Sequence, residues 1–170
     1  DAGILAVPLE TRGIEQIILY NEPFYVAVNN QHEFAKKTKI IKEDLQGETL
    51  LLLGEGHCLR GQVLEVCSYA MTRERKDFQD TSLETIRHMV STGIGITLIP
   101  QTAIFSKILN QNSPIKYIPF SKPAPARSVG LLFRKNSSRK TCFQNLSNLI
   151  KKIIQKKFSI KEHMDLIPVK

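Results

Sequence analysis

Between residues 49 and 67 a short apolar strand, a glycine turn and a helix follow one another without a break, and this succession constrains the fold more than any other stretch. The leucines of residues 49–53 read as a buried strand, and Gly54-Glu55-Gly56 supplies the turn. From there Leu59, Val63, Val66, Cys67 and Ala70 recur at i, i+4, i+7, i+8 and i+11, the cadence of one apolar helix face. A strand that feeds through a glycine turn into a helix N-terminus is where α/β proteins commonly place a polar site.

Two cysteines sit on this helix in different situations. Cys67 belongs to the apolar face, whereas Cys58 falls at the start, directly after Gly56-His57. A helix N-terminus carries unpaired N–H groups and roughly half a positive charge. Together with cations such as His57 and Arg60, it favours the thiolate, the form that peroxide oxidises to sulfenic acid. Cys58 then reads as the attacking thiol and Cys67 as the resolving one. Nine helical positions rise about 13.5 Å, whereas a disulfide needs Cα atoms about 4.4–6.8 Å apart. Joining the two sulfurs would therefore require unwinding the helix. On spacing alone, two cysteines nine apart are more often inert core residues than a redox pair, and no fourth ligand at a familiar spacing supports a metal site. Cys142, near the start of the last helix, reads as structural.

The remaining pattern alternates strands and helices, which makes the class α/β. Strands are expected at residues 3–7, 14–20, 24–28, 95–99, 115–119 and 129–133, with Pro23 separating the second from the third. A helical turn is expected at 42–45 before Gly47. A helix that Thr81 and Glu84 cap as a box is expected to end at Gly93. Residues 101–109 read as a short helix. Ser121 to Ala126 forms a proline-rich crossover. A long helix over 140–158 carries Phe143, Leu146, Ile150, Ile153 and Ile154 on its apolar face. Residues 159–170 show no sustained period and are expected to be mobile.

Of 170 residues 42% are apolar and 24% charged, an ordinary globular composition. No apolar run approaches the length of a membrane span. The N-terminus reads as the start of a fragment within a strand, not as a signal peptide. Three cysteines fit a reducing cytoplasm better than a secreted disulfide scaffold. The net charge of +8 suggests nucleic acid, but its location argues otherwise. Residues 134–170 hold ten Lys or Arg and two acids, while residues 1–133 balance at fourteen of each. Lys151, Lys152, Lys156, Lys157 and Lys161 read as the solvated face of the terminal helix.

Gly56-His57-Cys58-Leu59-Arg60, followed by Cys67, resembles the peroxide-sensing segment of OxyR-type members of the LysR family of transcription regulators. The stretch from Thr81-Ser82-Leu83-Glu84 through His88-Met89-Val90 to Gly95-Ile96-Thr97 is similar to the same family. The resemblance extends to about residue 155. It implies two lobes like those of periplasmic binding proteins, joined by crossovers near 21–23 and 121–127. Lobe II would comprise residues 23–126, and lobe I residues 1–22 and 127–158. Lobe I would be truncated at its N-terminal side, and the DNA-binding domain would be absent.

The resemblance also implies that hydrogen peroxide oxidises Cys58 and that Cys67 closes a reversible disulfide, refolding the segment between them. His57, Arg60 and Arg127 would form the thiolate and peroxide environment, and the helix with Glu84, Arg87 and His88 would lie at a dimer interface. No cofactor or metal is expected. The expected partners are a second copy in a homodimer or homotetramer, DNA through the missing domain, RNA polymerase, and a glutaredoxin- or thioredoxin-type reductant. No membrane partner is expected. Two rival readings are a LysR-type domain that binds a small inducer with silent cysteines, and a thiol peroxidase that turns over.

Overall fold

The computed structural model describes residues 1–9, 11–67, 73–74, 82–105, 113–158 and 166–168. Its frame is two long antiparallel strands, which the other strands join. In chain order the strands are β1 (Ala2–Val7), β2 (Ile14–Asn29), β3 (Thr49–Leu50), β4 (Arg73–Glu74), β5 (Thr97–Pro100), β6 (Ile115–Pro119), β7 (Ala124–Arg134) and β8 (Leu166–Pro168). The helices are α1 (Cys58–Cys67), α2 (Leu83–Ser91), α3 (Gln101–Phe105) and α4 (Lys140–Phe158), with short 3-10 turns at Glu33–Lys36 and Lys42–Leu45.

The sheet runs β1-β7-β2-β5, with β6 also on β2 and β8 on β7. The long strands pair antiparallel, and the parallel pairs are β3 with β4 and β7 with β8. The two strands expected on either side of Pro23 are a single strand of 16 residues. Pro23 stands opposite Ala126 in the β2–β7 ladder, so the chain passes through it extended. The register shifts between Ile18 and Tyr20, a bulge that lets β2 bend on its way from one part of the sheet to the other. Likewise β7 begins at Ala124, inside the proline-rich crossover, and not at residue 129.

Two separate cores form on this frame. The larger gathers Phe24, Val26 and Val28 of β2, Leu50 to Leu53, the inner face of α1, Ile86 and Val90 of α2, and Ile96, Leu98 and Ile99. The smaller comprises Leu19, Leu131, Phe133 and Phe143, where α4 covers one face of the other part of the sheet. The alternating burial of β2 follows from period-two side chains facing these cores in turn. β1 is an edge strand whose Ile4 is 51% exposed, so it is not buried throughout. On α4 the inward positions are Phe143, Ser147, Ile150 and Ile154, whereas Leu146 and Ile153 face outward with Leu149.

The caps explain the lengths of the short elements. Ser82 caps α2: its side chain accepts the Thr85 N–H. Thr81 lies outside the described residues. Gly93 takes φ +79 just beyond the helix, as its position after the last apolar residue predicts. Gly47 at φ +80 ends the turn after Leu45. α3 begins where expected, and residues 106–109 lie outside the described residues. Of the C-terminal stretch, Leu166–Pro168 pairs with Ala124–Ala126, and the remainder from 159 lies outside the described residues.

Candidate functional site

The approach to the site is fixed by hydrogen bonds around the leucine run. Leu51 donates its N–H to the Ile96 carbonyl at 2.8 Å, and Ile96 returns one to Thr49 at 2.9 Å. Thr97 Oγ1 donates to the Leu51 carbonyl at 2.7 Å in the interior. A Cβ on Gly95 would stand 2.5 Å from the Thr49 carbonyl oxygen, so only glycine permits this close pairing of backbones. Four successive leucines, 50 to 53, are buried by it. The chain then leaves the core through Gly54 and a turn in which Gly56 has φ +91.

α1 starts at Cys58 and ends at Cys67, the whole of the interval between the two cysteines. Both thiols are free, Cys58 exposed and Cys67 buried. Ten residues in one helix hold their Cα atoms about 13 Å apart, roughly twice the reach of a disulfide. The sequence-based expectation of two separated sulfurs is met directly. Glu55, Gly56, His57, Cys58, Arg60, Gly61 and Leu64 line an open depression of about 420 Å³ at the helix start. His57 is exposed there, so it is not a core histidine. Arg60 donates from Nη1 to the Leu53 carbonyl at 3.0 Å and its N–H to the His57 carbonyl at 2.9 Å. It thereby ties the helix start to the end of the leucine run while its side chain borders the depression.

Cys67 lies in the larger core, 2% exposed. Burial pushes its thiol up to about 12, with Lys42 opposing weakly. The folded chain thus keeps a proton that an unfolded thiol, at about 8.5, gives up. The stability this proton brings is fully present below pH ~8.5 and is lost as pH rises toward 12. At pH 10 the loss is about 2 kcal/mol. Urea unfolding between pH 8 and 10.5 therefore shows a steeper alkaline decline in the native sequence than in Cys67→Ala. Parallel slopes would place Cys67 in contact with solvent.

The remaining expected residues lie elsewhere. Arg127 is absent from the lining of the Cys58 depression. It projects from β7 at the crossover, and its Nε and Nη2 each lie 2.6 Å from Glu22 Oε1. Glu22 is directly opposite in the ladder and is fully buried. Its other oxygen, Oε2, accepts from Thr102 Oγ1 at 2.7 Å and Thr102 N–H at 3.0 Å. One register step away, Ser128 Oγ donates to Asn21 Oδ1 at 2.7 Å. The crossover is thus closed by a buried polar brace joining β2, β7 and the start of α3. On α2, Glu84 and His88 present exposed side chains, but Arg87 points inward. Arg87 donates from Nη2 to the Ala103 carbonyl, and its guanidinium stands 5.9 Å from the Tyr117 ring centroid. Cys142 is exposed in the first turn of α4, not a core residue.

Two residues of consequence escape a reading of the sequence. Glu22 gives one detectable signal, an acid in one crossover facing an arginine in the other. Gln62 gives none, because a polar residue between apolar helix positions is ordinarily taken as solvent-facing. Here it is buried among Leu59, Val63, Val66 and Cys67 on the inner face of α1.

A family model described as the LysR substrate binding domain matches residues 1–154. The chain is 34% identical over 150 residues to the hydrogen peroxide-inducible genes activator of Haemophilus influenzae, covering 88% of this chain and 49% of that protein. It is 36% identical over 151 residues to the DNA-binding transcriptional dual regulator OxyR of Escherichia coli, covering 89% and 49%. The chain spans about half the length of the curated relatives it matches. Among solved structures, the reduced OxyR regulatory domain from Pseudomonas aeruginosa superimposes with a TM-score of 0.78 at 38% identity, covering 89% of this chain and 72% of that one. The oxidized form of OxyR gives 0.78 at 36%, covering 93% and 74%.

Proposed function

Since this chain belongs to the LysR substrate-binding domain family, we propose that it is the peroxide-sensing regulatory domain of an OxyR-type transcription regulator. The observation that carries this reading is the placement of the two thiols. Cys58 is open to solvent beside His57 and Arg60, while Cys67 is sealed in the core at the far end of the same helix.

Hydrogen peroxide gives one oxygen to the Cys58 sulfur, forming sulfenic acid and water. The Cys67 sulfur then attacks the Cys58 sulfur and displaces a second water, leaving a disulfide. Two electrons pass from the pair of thiols to peroxide. A dithiol reductant of glutaredoxin or thioredoxin type returns them. The second step is unattainable while α1 is intact, so the oxidised chain must adopt another local structure. That change of shape is the signal. His57 and Arg60 act at the depression, and Arg127 acts through the crossover.

Lobe I in this reading comprises residues 1–22 and 127–158, and lobe II residues 23–126. The exposed Glu84 and His88 of α2 lie at the contact between copies in a homodimer or homotetramer. DNA is engaged through a domain outside this chain, with RNA polymerase as a further partner, in the cytoplasm. The protein senses peroxide without turning it over.

Thiol alkylation followed by mass spectrometry, before and after one equivalent of peroxide, tests the proposal. A Cys58–Cys67 linkage that is lost in Cys58→Ser, with consumption stopping near one peroxide per chain until reductant is added, is the expected result. Two unchanged free thiols would refute it, and sustained consumption with reductant would identify a peroxidase instead.

A further inference from the structure

The inner face of α1 consists of Leu59, Gln62, Val63, Val66 and Cys67. Four of these suit a dry core; Gln62 does not. It is 7% exposed, and its Oε1 is shielded from solvent with no hydrogen-bond partner among the described residues. An amide oxygen placed in this way surrenders its bond to water when the helix docks and gains nothing in exchange. The loss is reversed whenever α1 comes away from the core and Oε1 meets water again. Gly61, beside it, acts in the same direction. It is exposed within the helix, and nothing lies within 4 Å of where a Cβ would stand, so no packing demands a glycine there. A glycine inside a helix weakens it relative to alanine.

We propose that Gln62 is a built-in destabiliser of the docked helix, and that its unpaired oxygen sets how readily the Cys58–Cys67 couple oxidises. The proposal rests on the redox reading of the two cysteines. In the thiol form α1 is docked and the oxygen is unsatisfied; in the disulfide form α1 is unwound and the oxygen is hydrated. Whatever disfavours the first state relative to the second moves the equilibrium toward the disulfide. Gln62 thus contributes to the sensitivity of the switch without touching either sulfur's chemistry.

The test replaces the amide with an apolar group of similar length, Gln62→Met, with Gln62→Leu as a second variant. The full chain is equilibrated with mixtures of reduced and oxidised glutathione, and the Cys58–Cys67 disulfide is quantified by mass spectrometry. In this exchange the two protein thiols lose two electrons and two protons, and one glutathione disulfide becomes two glutathione thiols. The expected result is an equilibrium constant for oxidation lowered roughly tenfold in Gln62→Met, the effect of relieving one orphaned buried acceptor. A constant within about twofold of the native value, or one shifted toward the disulfide, overturns the proposal; twofold is well below the effect of one such acceptor.

A second measurement separates this proposal from the redox reading. In a Cys58→Ser background, which forms no such disulfide, Gln62→Met raises the melting temperature if the oxygen destabilises docking, and leaves or lowers it if not. Should the native chain form no Cys58–Cys67 bond at all, the redox reading fails while this comparison still decides the role of Gln62. If neither apolar variant folds, amide hydrogen exchange on the native thiol form decides. α1 amides exchanging well ahead of those of β2 support the proposal, and equal protection overturns it.

Discussion

Arg127→Ala destabilises the folded chain by about 3–5 kcal/mol, the cost of stripping a buried ion pair of one partner. The size of the effect comes from Glu22, which has no exposure to solvent and relies on the guanidinium for its charge balance. Thr102 satisfies one carboxylate oxygen through two hydrogen bonds but brings no charge. Without Arg127 the chain must keep an uncompensated anion in its interior or open the crossover to water. Each route costs stability. Replacing both partners, Glu22→Gln with Arg127→Met, removes the problem along with the pair, and recovers most of the loss. Urea unfolding of the three proteins checks this through the midpoints at unchanged slope. A loss below about 1 kcal/mol for Arg127→Ala is what a surface pair would give, and would mean that the crossover is already wet.

The second large effect is optical. Formation of the Cys58–Cys67 bond removes α1 as a helix, because no helical geometry brings its first and last residues within bonding distance. α1 supplies about a quarter of the helical residues among those described. The ellipticity at 222 nm therefore falls by about a quarter on oxidation, and dithiothreitol restores it. Unwinding also exposes Leu59, Val63 and Val66, each contributing ~1.5–3 kcal/mol when fully buried. An apolar dye such as ANS is expected to bind the oxidised form and release on reduction. Coincident spectra for the two forms would show that the sulfurs join without the helix giving way.

The parts legible in the sequence were those written in local periodicity. The inward face of α1 follows from the spacing of Leu59, Val63, Val66 and Cys67, and the approximate span of α4 from its apolar cadence. Local patterns do not reveal a partner far along the chain. Glu22 is buried because Arg127, 105 positions away, lies opposite it in the ladder, and no window around Glu22 contains that information. Pro23 looked like a boundary because proline usually interrupts a strand. It stays inside β2 because the chain there is already extended to cross between the two parts of the sheet. On α4 the apolar residues outnumber the inward positions, so periodicity alone assigned Leu146 and Ile153 to the core while Ser147 took the place between Phe143 and Ile150. Composition could not say which apolar residues would find cover.

The continuity of Ile14–Asn29 limits how this molecule can be divided. The proposed boundary after residue 22 falls in the middle of one paired strand, and that after residue 126 in the middle of its neighbour. Excising either lobe would sever both strands of the β2–β7 ladder at once and leave raw backbone at the cut. Recombination that exchanges one lobe meets the same obstacle. The two cores are thus built on the same pair of through-running rails.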